Sequence, residues 1–154
     1  MTILINFQLG DENGTWEVFY SAIHQVCSSH YTQQQLDAWA PIDLERGIWI
    51  SKMRSIHPFV AVLENKIIGY SDLREDGLID HFFVHGDYQR MGVGTLLMSE
   101  ILKRSANKKR LHSEASRTAK LFFEKHGFLT LKIQTVKMRE VLLSNNIMEQ
   151  LNYL

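Results

Sequence analysis

The segment 84–95 has the residue types and spacing of an anion-binding loop. An apolar run ends near Val84, a polar stretch follows, and a helical pattern begins inside the sequence QRMGVG at 89–94. A helix N-terminus leaves backbone N–H groups unpaired and carries a partial positive charge, and glycines there remove side chains that would keep a ligand away. The segment therefore predicts a phosphate or pyrophosphate site, to which Arg90 adds a mobile cation.

Glycine-rich phosphate loops differ in the residues that accompany the glycines. A P-loop requires Lys between its last glycine and the Ser or Thr, and the pair Gly94-Thr95 lacks it. A Rossmann loop requires a third glycine where Leu97 stands. The pattern Q/R-x-x-G-x-G is filled without mismatch by Gln89, Gly92 and Gly94. The alternative interpretation, which so short a motif favours on its own, is that the two glycines only let a helix pack closely on a strand.

The elements around this loop follow from hydrophobic periodicity and from turn residues. We predict strands over 3–7, 59–63, 66–73, 78–84, 109–116 and 130–142, with the second and third joined by a turn at Glu64-Asn65. We predict helices from a Thr15 cap to Tyr31, from a Thr32 cap to Pro41, around 48–53, from Gly92 with Leu97, Ile101 and Leu102 buried, and over 117–127 with Gly127 as the terminating glycine. This order predicts one mixed α/β domain, 1–154, around one sheet.

The flanks of the loop resemble the GNAT superfamily of acetyl-CoA-dependent N-acyltransferases. The sequence HGDYQRMGVGTLLM follows IDHFFV, and AKLFFEKHGF comes later, with room between them for one helix and one strand. The resemblance covers most of the chain and is specific over 78–95 and 119–128. It implies a central, mostly antiparallel, splayed sheet flanked by helices. It also implies acetyl transfer from acetyl-CoA to a primary amine of a small molecule or peptide, by direct attack in a ternary complex.

The resemblance further implies which residues hold coenzyme A. Main-chain groups near Phe83 and Val84, on a strand that splays from its neighbour, would bind the pantetheine arm. The helix that carries Phe123 would flank the thiol end, and Lys120 with the basic segment before it would meet the adenosine 3′-phosphate. The pyrophosphate would be held by Gln89, Arg90, Met91, Gly92, Val93, Gly94 and Thr95.

Two positions depart from the commonest family pattern. Ser116 stands where many members have Asn, so the implied contact to pantetheine comes from a shorter side chain. Phe123 stands where many members have a Tyr that protonates the departing thiolate, which a phenyl ring cannot do. Cofactor binding is still expected, and an alternative function is a non-catalytic acyl-CoA-binding or regulatory module. With QQLDAWAP upstream, these departures resemble a bacterial subgroup whose substrates are poorly defined.

Acetyl transfer needs an uncharged amine, and a lysine-type ammonium has a pKa near ~10.4, so a base is useful. Asp80 is the first candidate, because a carboxylate within an apolar strand is costly unless it faces a cleft or is paired for structural reasons. His81, a candidate substrate contact, lies on the opposite face if the strand is regular, whereas a bulge would change its direction. Tyr31 is one candidate to replace the missing acid, with Tyr70 and Tyr88 as alternatives.

In the fold that the resemblance implies, the first two helices wall the acceptor pocket. His24 and Tyr31 are seven residues apart and so share a helix face, and Trp39 follows on the next helix. These side chains are expected to shape the pocket, with core packing as the alternative for Trp39.

Composition excludes several function classes. The chain has 154 residues and a formal net charge of zero, which argues against a dedicated nucleic-acid binder. Segment 103–125 nevertheless holds eight basic and two acidic residues, enough for a polyanionic ligand, so nucleic-acid binding is kept as a third hypothesis. No apolar run approaches the ~18 residues of a membrane span, and the N-terminus lacks the pattern of a signal peptide.

The remaining expectations concern metals, location and assembly. A single cysteine, Cys27, excludes an intramolecular disulfide, and the seven histidines show no ligand spacing, so no metal is expected. We expect a cytoplasmic protein. The apolar-rich segment 145–154 would pack on its own sheet or on a partner in a homodimer.

Overall fold

The computed structural model describes residues 1–151, which form seven strands and five α-helices. The last three residues of the segment expected to pack on a sheet or a partner, 152–154, lie outside the described residues. The strands are β1 Ile3–Asn6, β2 Phe59–Leu63, β3 Lys66–Ser71, β4 Phe82–Val84, β5 Arg110–Ser116, β6 Leu129–Met138 and β7 Val141–Leu151. The helices are α1 Glu12–Ser21, α2 Gln33–Trp39, α3 Arg46–Ile56, α4 Val93–Arg104 and α5 Lys120–Lys125.

The strands form two antiparallel sheets, not the one sheet predicted. One has the order β1-β2-β3-β4 and the other β5-β7-β6. They are joined by a parallel bridge between Leu78 and His112, where the Ile79 N–H donates to the His112 carbonyl at 2.8 Å. Beyond this bridge β4 and β5 diverge, since they belong to different sheets. The mixed α/β architecture with a splayed, mostly antiparallel arrangement is therefore confirmed.

The predicted strand 78–84 is interrupted at Asp80 and His81. The buried carboxylate of Asp72 accepts hydrogen bonds from both of their N–H groups through Oδ1, at 2.9 and 2.8 Å. The His81 carbonyl in turn accepts from the Asp72 N–H at 3.0 Å. The two bonds to the Asp72 side chain interrupt regular strand pairing at Asp80 and His81, so β4 begins only at Phe82.

The predicted strand 130–142 is wrong, because the chain reverses within it. Arg139 and Glu140 have φ of 46° and 68°, and they join β6 to β7 as a hairpin. Neither residue type is favoured in the left-handed region, which is why the sequence pattern hid the turn. The turn at Glu64-Asn65, which carries an asparagine, has the same positive φ values and is confirmed.

The first predicted helix differs from the structure at both its start and its end, whereas the start of the second is as predicted. α1 begins at Glu12, and the hydroxyl of Thr15 donates to carbonyls of the first turn, so Thr15 is not the cap. After Ser21 the helix widens into a π-helical turn, Ala22–Val26, followed by a 3₁₀ turn, Cys27–Ser29. Such π segments are rare and recur at functional sites. The cap of α2 at Thr32 is confirmed by a capping box with Gln35.

Helices cover both faces of the first sheet. Leu97 and Ile101 of α4 are fully buried, as predicted, whereas Leu102 is 40% exposed and lies on the outer side. A Cβ at Gly69 would lie 2.9 Å from Val93, so this glycine lets the start of α4 approach β3 closely. The opposite face is covered by α1, which packs on β3 and β4 and against α3, whereas α2 packs on β7 of the second sheet. Among residues 1–151, no helix has both the length and the hydropathy that crossing a bilayer requires.

Candidate active site

Two cavities flank the divergence between β4 and β5. The first, of about 410 Å³, lies against the N-terminus of α4 and is called the loop cavity. The second, of about 570 Å³, is walled by rings that include Phe19, Trp39 and Trp49 and is called the aromatic cavity. Both walls include Phe82, Phe83, Ser116 and Ala119. The cavities therefore meet where the strands part.

The loop cavity brings together most of the residues predicted to hold coenzyme A. Its wall includes, from that set, Phe83, Val84, Gln89, Arg90, Gly92, Val93, Gly94, Thr95 and Ser116. Its charged side chains are Arg90 and Lys125, and no acidic residue of 1–151 lines it. The first-turn N–H groups of α4 have no intrahelical partner and add partial positive charge. The electrostatics of this cavity therefore favour an anionic ligand.

The two loop glycines serve different purposes. Gly92 has φ +82° at the N-cap of α4, a conformation that side chains rarely adopt, and a Cβ there would meet nothing within 4 Å. At Gly94 a Cβ would lie 3.2 Å from the ring of Phe122. The close-packing interpretation thus describes Gly94, while Gly92 supplies backbone freedom beside the open loop cavity.

The main chain of β4 directs polar groups into the gap where β4 and β5 diverge. The His85 N–H donates to Ile68 at 2.8 Å and the His81 carbonyl accepts from Asp72, so these residues pair with β3. Because alternate residues pair in an antiparallel ladder, the main-chain groups of Phe82 and Val84 point away from β3, and those of Phe83 point towards it. Of the predicted pair, Val84 thus directs its main-chain groups into the divergence and Phe83 does not, whereas Phe82 does.

The side chain of Gln89 already contacts this main chain. Its amide donates to the Val84 carbonyl at 2.9 Å and so ties the loop to the end of β4. The main-chain N–H groups of Phe82 and Val84 point into the divergence and are left to contact a ligand.

Three predicted cofactor residues lie elsewhere. Met91 is 59% exposed and is absent from the cavity wall, because its side chain points to solvent. Lys120 also lies outside the wall, and Lys125, at the other end of α5, takes its place. Phe123 is buried and lines the aromatic cavity instead of the loop cavity.

The basic segment 103–125 does not form one anion site. Arg104 pairs with Glu100 at the C-terminal end of α4, remote from the loop. Arg110 pairs with Glu149 on β7 at 2.6 Å. The expectation that the segment before Lys120 meets a single phosphate is wrong, because its cations are dispersed over several elements and partly paired.

The aromatic cavity contains four residues predicted to act on the acceptor: Tyr31, Trp39, Asp80 and His81. The hydroxyl of Tyr31 donates to the Ser144 carbonyl at 2.7 Å and accepts from the Arg117 N–H at 2.9 Å. Burial raises the pKa of Tyr31. An acid role would require Tyr31 to give up its bond to Ser144, whereas the geometry makes it a link between β7 and the turn before α5.

His24 lies outside both cavities, contrary to the prediction. Its Nε2 lies 2.8 Å from the Ala40 carbonyl, and its ring stacks on Tyr20 at 4.1 Å. The shared-face argument with Tyr31 assumed a regular α-helix, and the π and 3₁₀ turns between them change the rotation. His24 is instead a structural link from the π-helical turn after α1 to the end of α2.

Asp80 belongs to a cluster of opposite charges. Its Oδ2 accepts from Arg74 Nη2 at 2.7 Å and lies 3.5 Å from Lys52 Nζ. Arg74 also lies 3.5 Å from the buried Asp72. Asp80 is about a third exposed and faces the aromatic cavity. Its carboxylate therefore both borders a cleft and forms ion pairs, the two explanations considered for an acid in an apolar strand.

His81 faces the same cavity as Asp80, so the expectation of opposite faces is wrong. The interruption of the strand at Asp80 and His81, whose N–H groups donate to Asp72, removes the alternation on which that expectation rested. His81 Nδ1 lies 3.0 Å from the Tyr70 hydroxyl, and Nε2 lies 3.8 Å from Asp80. Burial lowers the pKa of His81 to about 4, so the ring is neutral at pH 7. Burial raises the pKa of Tyr70 well above its usual value.

Several residues of the site were not identified from the sequence. Lys52 lines the aromatic cavity and Arg74 lies behind Asp80 outside both cavity walls, and no local signal links either of them to Asp80. Glu114 lies on β5 and lines the aromatic cavity, where alternation along the strand could have placed it. Cys27 is buried, as expected of a small core residue, yet it also lines the loop cavity.

Comparison with known proteins gives consistent results. A sequence model of the acetyltransferase (GNAT) domain matches residues 27–142. The uncharacterized N-acetyltransferase YafP of Escherichia coli K12 is 36% identical over 140 residues, 91% of this chain and 89% of that protein. The crystal structure of the GCN5-related N-acetyltransferase (aminotransferase, class II) from Rhodopseudomonas palustris superposes with a TM-score of 0.92. It is 25% identical and the match covers 99% of this chain and 96% of that one.

A more distant structure supports the fold alone. PaiA N-acetyltransferase of Thermoplasma acidophilum, crystallised with coenzyme A, has a TM-score of 0.74 at 16% identity, covering 99% of each chain. The family match spans well over half of the chain and includes the loop, β4 and α5. The chain therefore belongs to the GNAT acetyltransferase family.

Proposed function

We propose that the protein transfers an acetyl group from acetyl-CoA to the primary amine of an acceptor held in the aromatic cavity. The observation that carries this proposal is the junction of two cavities at Phe82, Phe83, Ser116 and Ala119. One cavity suits an anionic cofactor and the other suits a small organic molecule, since 300–1,000 Å³ is roughly the usual size of such sites. Family membership and the coenzyme A bound to PaiA support acyl-CoA as the donor.

The loop cavity would hold the cofactor by its phosphates and its arm. The N–H groups at the start of α4, bared at Gly92, would bind the pyrophosphate with Arg90. Lys125 is the available cation for a further phosphate. The pantetheine arm would lie along β4, where Phe82 and Val84 point their main-chain groups into the divergence.

The thioester would then lie at the junction of the cavities. A main-chain N–H of β4 is a suitable donor to the carbonyl oxygen, which gains negative charge as the amine attacks. Ser116 borders both cavities, and its hydroxyl accepts from the Ala119 N–H at 3.0 Å, which fixes the start of α5 at this point. The Phe123 ring supplies no proton, and a thiolate with a solution pKa of about 8.5 can take one from water.

Direct attack is favoured over an acyl-enzyme. Cys27 is the one cysteine of the chain, and it lines the loop cavity. Burial raises the pKa of its thiol to about 11, so it is protonated at pH 7 and is a poor nucleophile. A ternary complex in which the amine attacks the thioester needs no such intermediate.

The test combines binding with turnover. Coenzyme A should raise the melting temperature, and acetyl-CoA should release free thiol when primary amines are supplied. The absence of Tyr at position 123 favours one competing function, a non-catalytic acyl-CoA sensor. A thermal shift with no thiol release from any amine would favour the sensor, and no thermal shift would exclude both.

We propose that the protein assembles as a homodimer and is located in the cytoplasm. β6 is an edge strand with Leu129 and Ile133 about 70% and 68% exposed, which supports a homodimer that covers them. Sedimentation of the full chain would show whether it is dimeric. The cytoplasmic location stays a prediction.

A further inference from the structure

We propose that Glu114 binds the ammonium group of the acceptor and takes up its proton, and that the acceptor is a small cationic amine with an apolar, ring-sized body. This inference rests on the proposed function, since it concerns the same reaction. The inference goes beyond the proposed function by naming the proton acceptor and the chemical class of the substrate. It also replaces Asp80 as the predicted base.

The topology places Glu114 opposite Asp80. Leu78 and His112 form the parallel bridge, and two residues further along each strand come Asp80 and Glu114. Both side chains line the aromatic cavity. Glu114 precedes Ser116 by two residues, roughly 7 Å along a strand. A group bound at Glu114 is therefore close to the junction where the thioester is expected.

The charges around the two carboxylates differ. Asp80 lies with Lys52, Arg74 and Asp72 in a cluster whose formal charges cancel when the acids are ionised. The partner recorded for Glu114 is neutral, the side-chain amide of Gln134, which donates at 2.5 Å. Within residues 1–151, no cationic nitrogen lies within 4.0 Å of its carboxylate. An incoming ammonium is therefore attracted to Glu114 more than to Asp80.

A second acceptor atom lies on the same sheet face. Asn145 of β7 is paired in register with Ser116 of β5 and with Gln134 of β6, and it lines the aromatic cavity. Its Oδ1 is buried and has no hydrogen-bond donor. Leaving a buried acceptor unpaired is costly. An ammonium has three hydrogens to donate, so it can satisfy both Glu114 and Asn145.

The remaining wall determines what the amine is attached to. The rings of Phe19, Trp39, Trp49 and Phe83 supply apolar surface and faces that attract a cation. The other charged or titratable side chains in the wall are Tyr31, Lys52, Asp80, His81 and Arg139. A volume of about 570 Å³ suits a molecule with one or two rings.

The reaction begins with loss of a proton from the acceptor. The bound ammonium gives one proton to the Glu114 carboxylate, and the freed nitrogen lone pair attacks the thioester carbonyl carbon. A C–N bond forms and the C–S bond breaks, with its electron pair leaving on the sulfur of coenzyme A. A second proton passes from the nitrogen through water to that thiolate. Glu114 releases its proton to solvent, so one proton is produced per amide formed.

The test compares 2-phenylethylamine with its neutral analogue 2-phenylethanol. Binding of each is measured by calorimetry to the full chain, with and without coenzyme A. We expect the wild type to prefer the amine by at least about tenfold, and Glu114→Gln to lose that preference. The matched control Glu124→Gln removes a carboxylate of α5 that lines neither cavity, and it should leave the preference intact.

Two further measurements distinguish a failure of this inference from a failure of the proposed function. Asn145→Ala should weaken amine binding severalfold, which tests the same site without altering charge. Glu114→Gln should lower kcat/KM for the amine about 100-fold and leave the coenzyme A thermal shift unchanged. A wild type that binds neither probe, or both equally, overturns the inference, as does amine binding unaffected by Glu114→Gln. Absence of a coenzyme A shift would instead overturn the proposed function, while the amine comparison without cofactor still decides this inference.

Discussion

Gly94 of α4 faces Phe122 of α5 so closely that a methyl group at Gly94 would lie 3.2 Å from Cε1 and 3.3 Å from Cζ of the ring. Phe122 lines the loop cavity and packs on Phe82 with a ring separation of 5.3 Å. The glycine therefore couples the anion-binding turn to the helix and strand at the junction of the two cavities.

Gly94→Ala should destabilise the fold. The added methyl must displace the Phe122 ring, and overpacking of this kind costs roughly 1–3 kcal/mol, which outweighs the ~1 kcal/mol that alanine contributes to a helix. We expect a lower melting temperature without cofactor. The matched control is Gly47→Ala in α3, where a Cβ would meet only Glu45 Oε1 at 3.9 Å. That variant should be neutral or more stable, and equal effects in the two variants would contradict the packing argument.

Gly92→Glu should abolish the thermal shift that coenzyme A produces. The position is exposed and open, so the substitution places a negative charge beside the first-turn N–H groups of α4. Because φ is +82° here, any side chain adds strain, and Gly92→Asn is the control since asparagine tolerates this region. The asparagine variant should keep most of the shift. If the glutamate variant keeps it too, the pyrophosphate is not bound at this turn.

Asp80→Asn should raise the KM for the amine and leave the affinity for coenzyme A unchanged. Without its carboxylate, Lys52 becomes an uncompensated cation in the aromatic cavity and repels the acceptor ammonium. The effect should be about threefold to tenfold, smaller than that of Glu114→Gln, because an exposed ion pair is worth roughly 1 kcal/mol. Steady-state kinetics over a range of amine concentrations measure it.

The double variant Asp80→Asn with Lys52→Met separates positioning from catalysis. If Asp80 acts only by compensating Lys52, removal of the cation restores the KM. A kcat that stays low in the double variant would show that Asp80 itself takes part in proton transfer.

Local signals predicted the cofactor loop, and long-range contacts determined the rest of the site. The turn before α4 depends on Gly92, and the cap of α2 on Thr32, so neighbouring residues were enough to identify both. The kink at Asp80 depends on the side chain of Asp72, which is eight residues away and looks like ordinary strand-end polarity in the sequence. Hydrophobic periodicity cannot show that a side-chain carboxylate eight residues away accepts the hydrogen bonds that would otherwise pair the strand.

The aromatic cavity depends even more on contacts between residues far apart in the sequence. Lys52 meets Asp80 from a helix whose bounds were poorly predicted, and Gln134 meets Glu114 across β7. That second contact requires the β6–β7 hairpin, which the sequence pattern hid at Arg139 and Glu140. A pattern interpreted as one strand could not bring Gln134 and Asn145 beside β5.

Stability should fall as the pH is lowered from about 7 to about 4, in part because of His81. Its pKa is lowered to about 4 in the fold by burial, while the unfolded chain has the ordinary value of 6.5, so between these values only the unfolded state gains the proton. The stability that His81 contributes is therefore complete above pH 6.5 and is lost as the pH falls towards 4. At ~1.4 kcal/mol per pH unit, the loss reaches about 3 kcal/mol.

His81→Asn should flatten this pH dependence, since asparagine keeps a partner for the Tyr70 hydroxyl but does not titrate. Urea unfolding at intervals between pH 4.5 and 7.5 gives the free energy of unfolding of each variant. The difference between wild type and variant isolates His81 from Asp72, whose raised pKa acts with the opposite sign over part of the range. His57→Asn is the control, because His57 is exposed and has φ 45°, which asparagine accepts. A slope that His81→Asn leaves unchanged would mean that the imidazole is not held neutral in the fold.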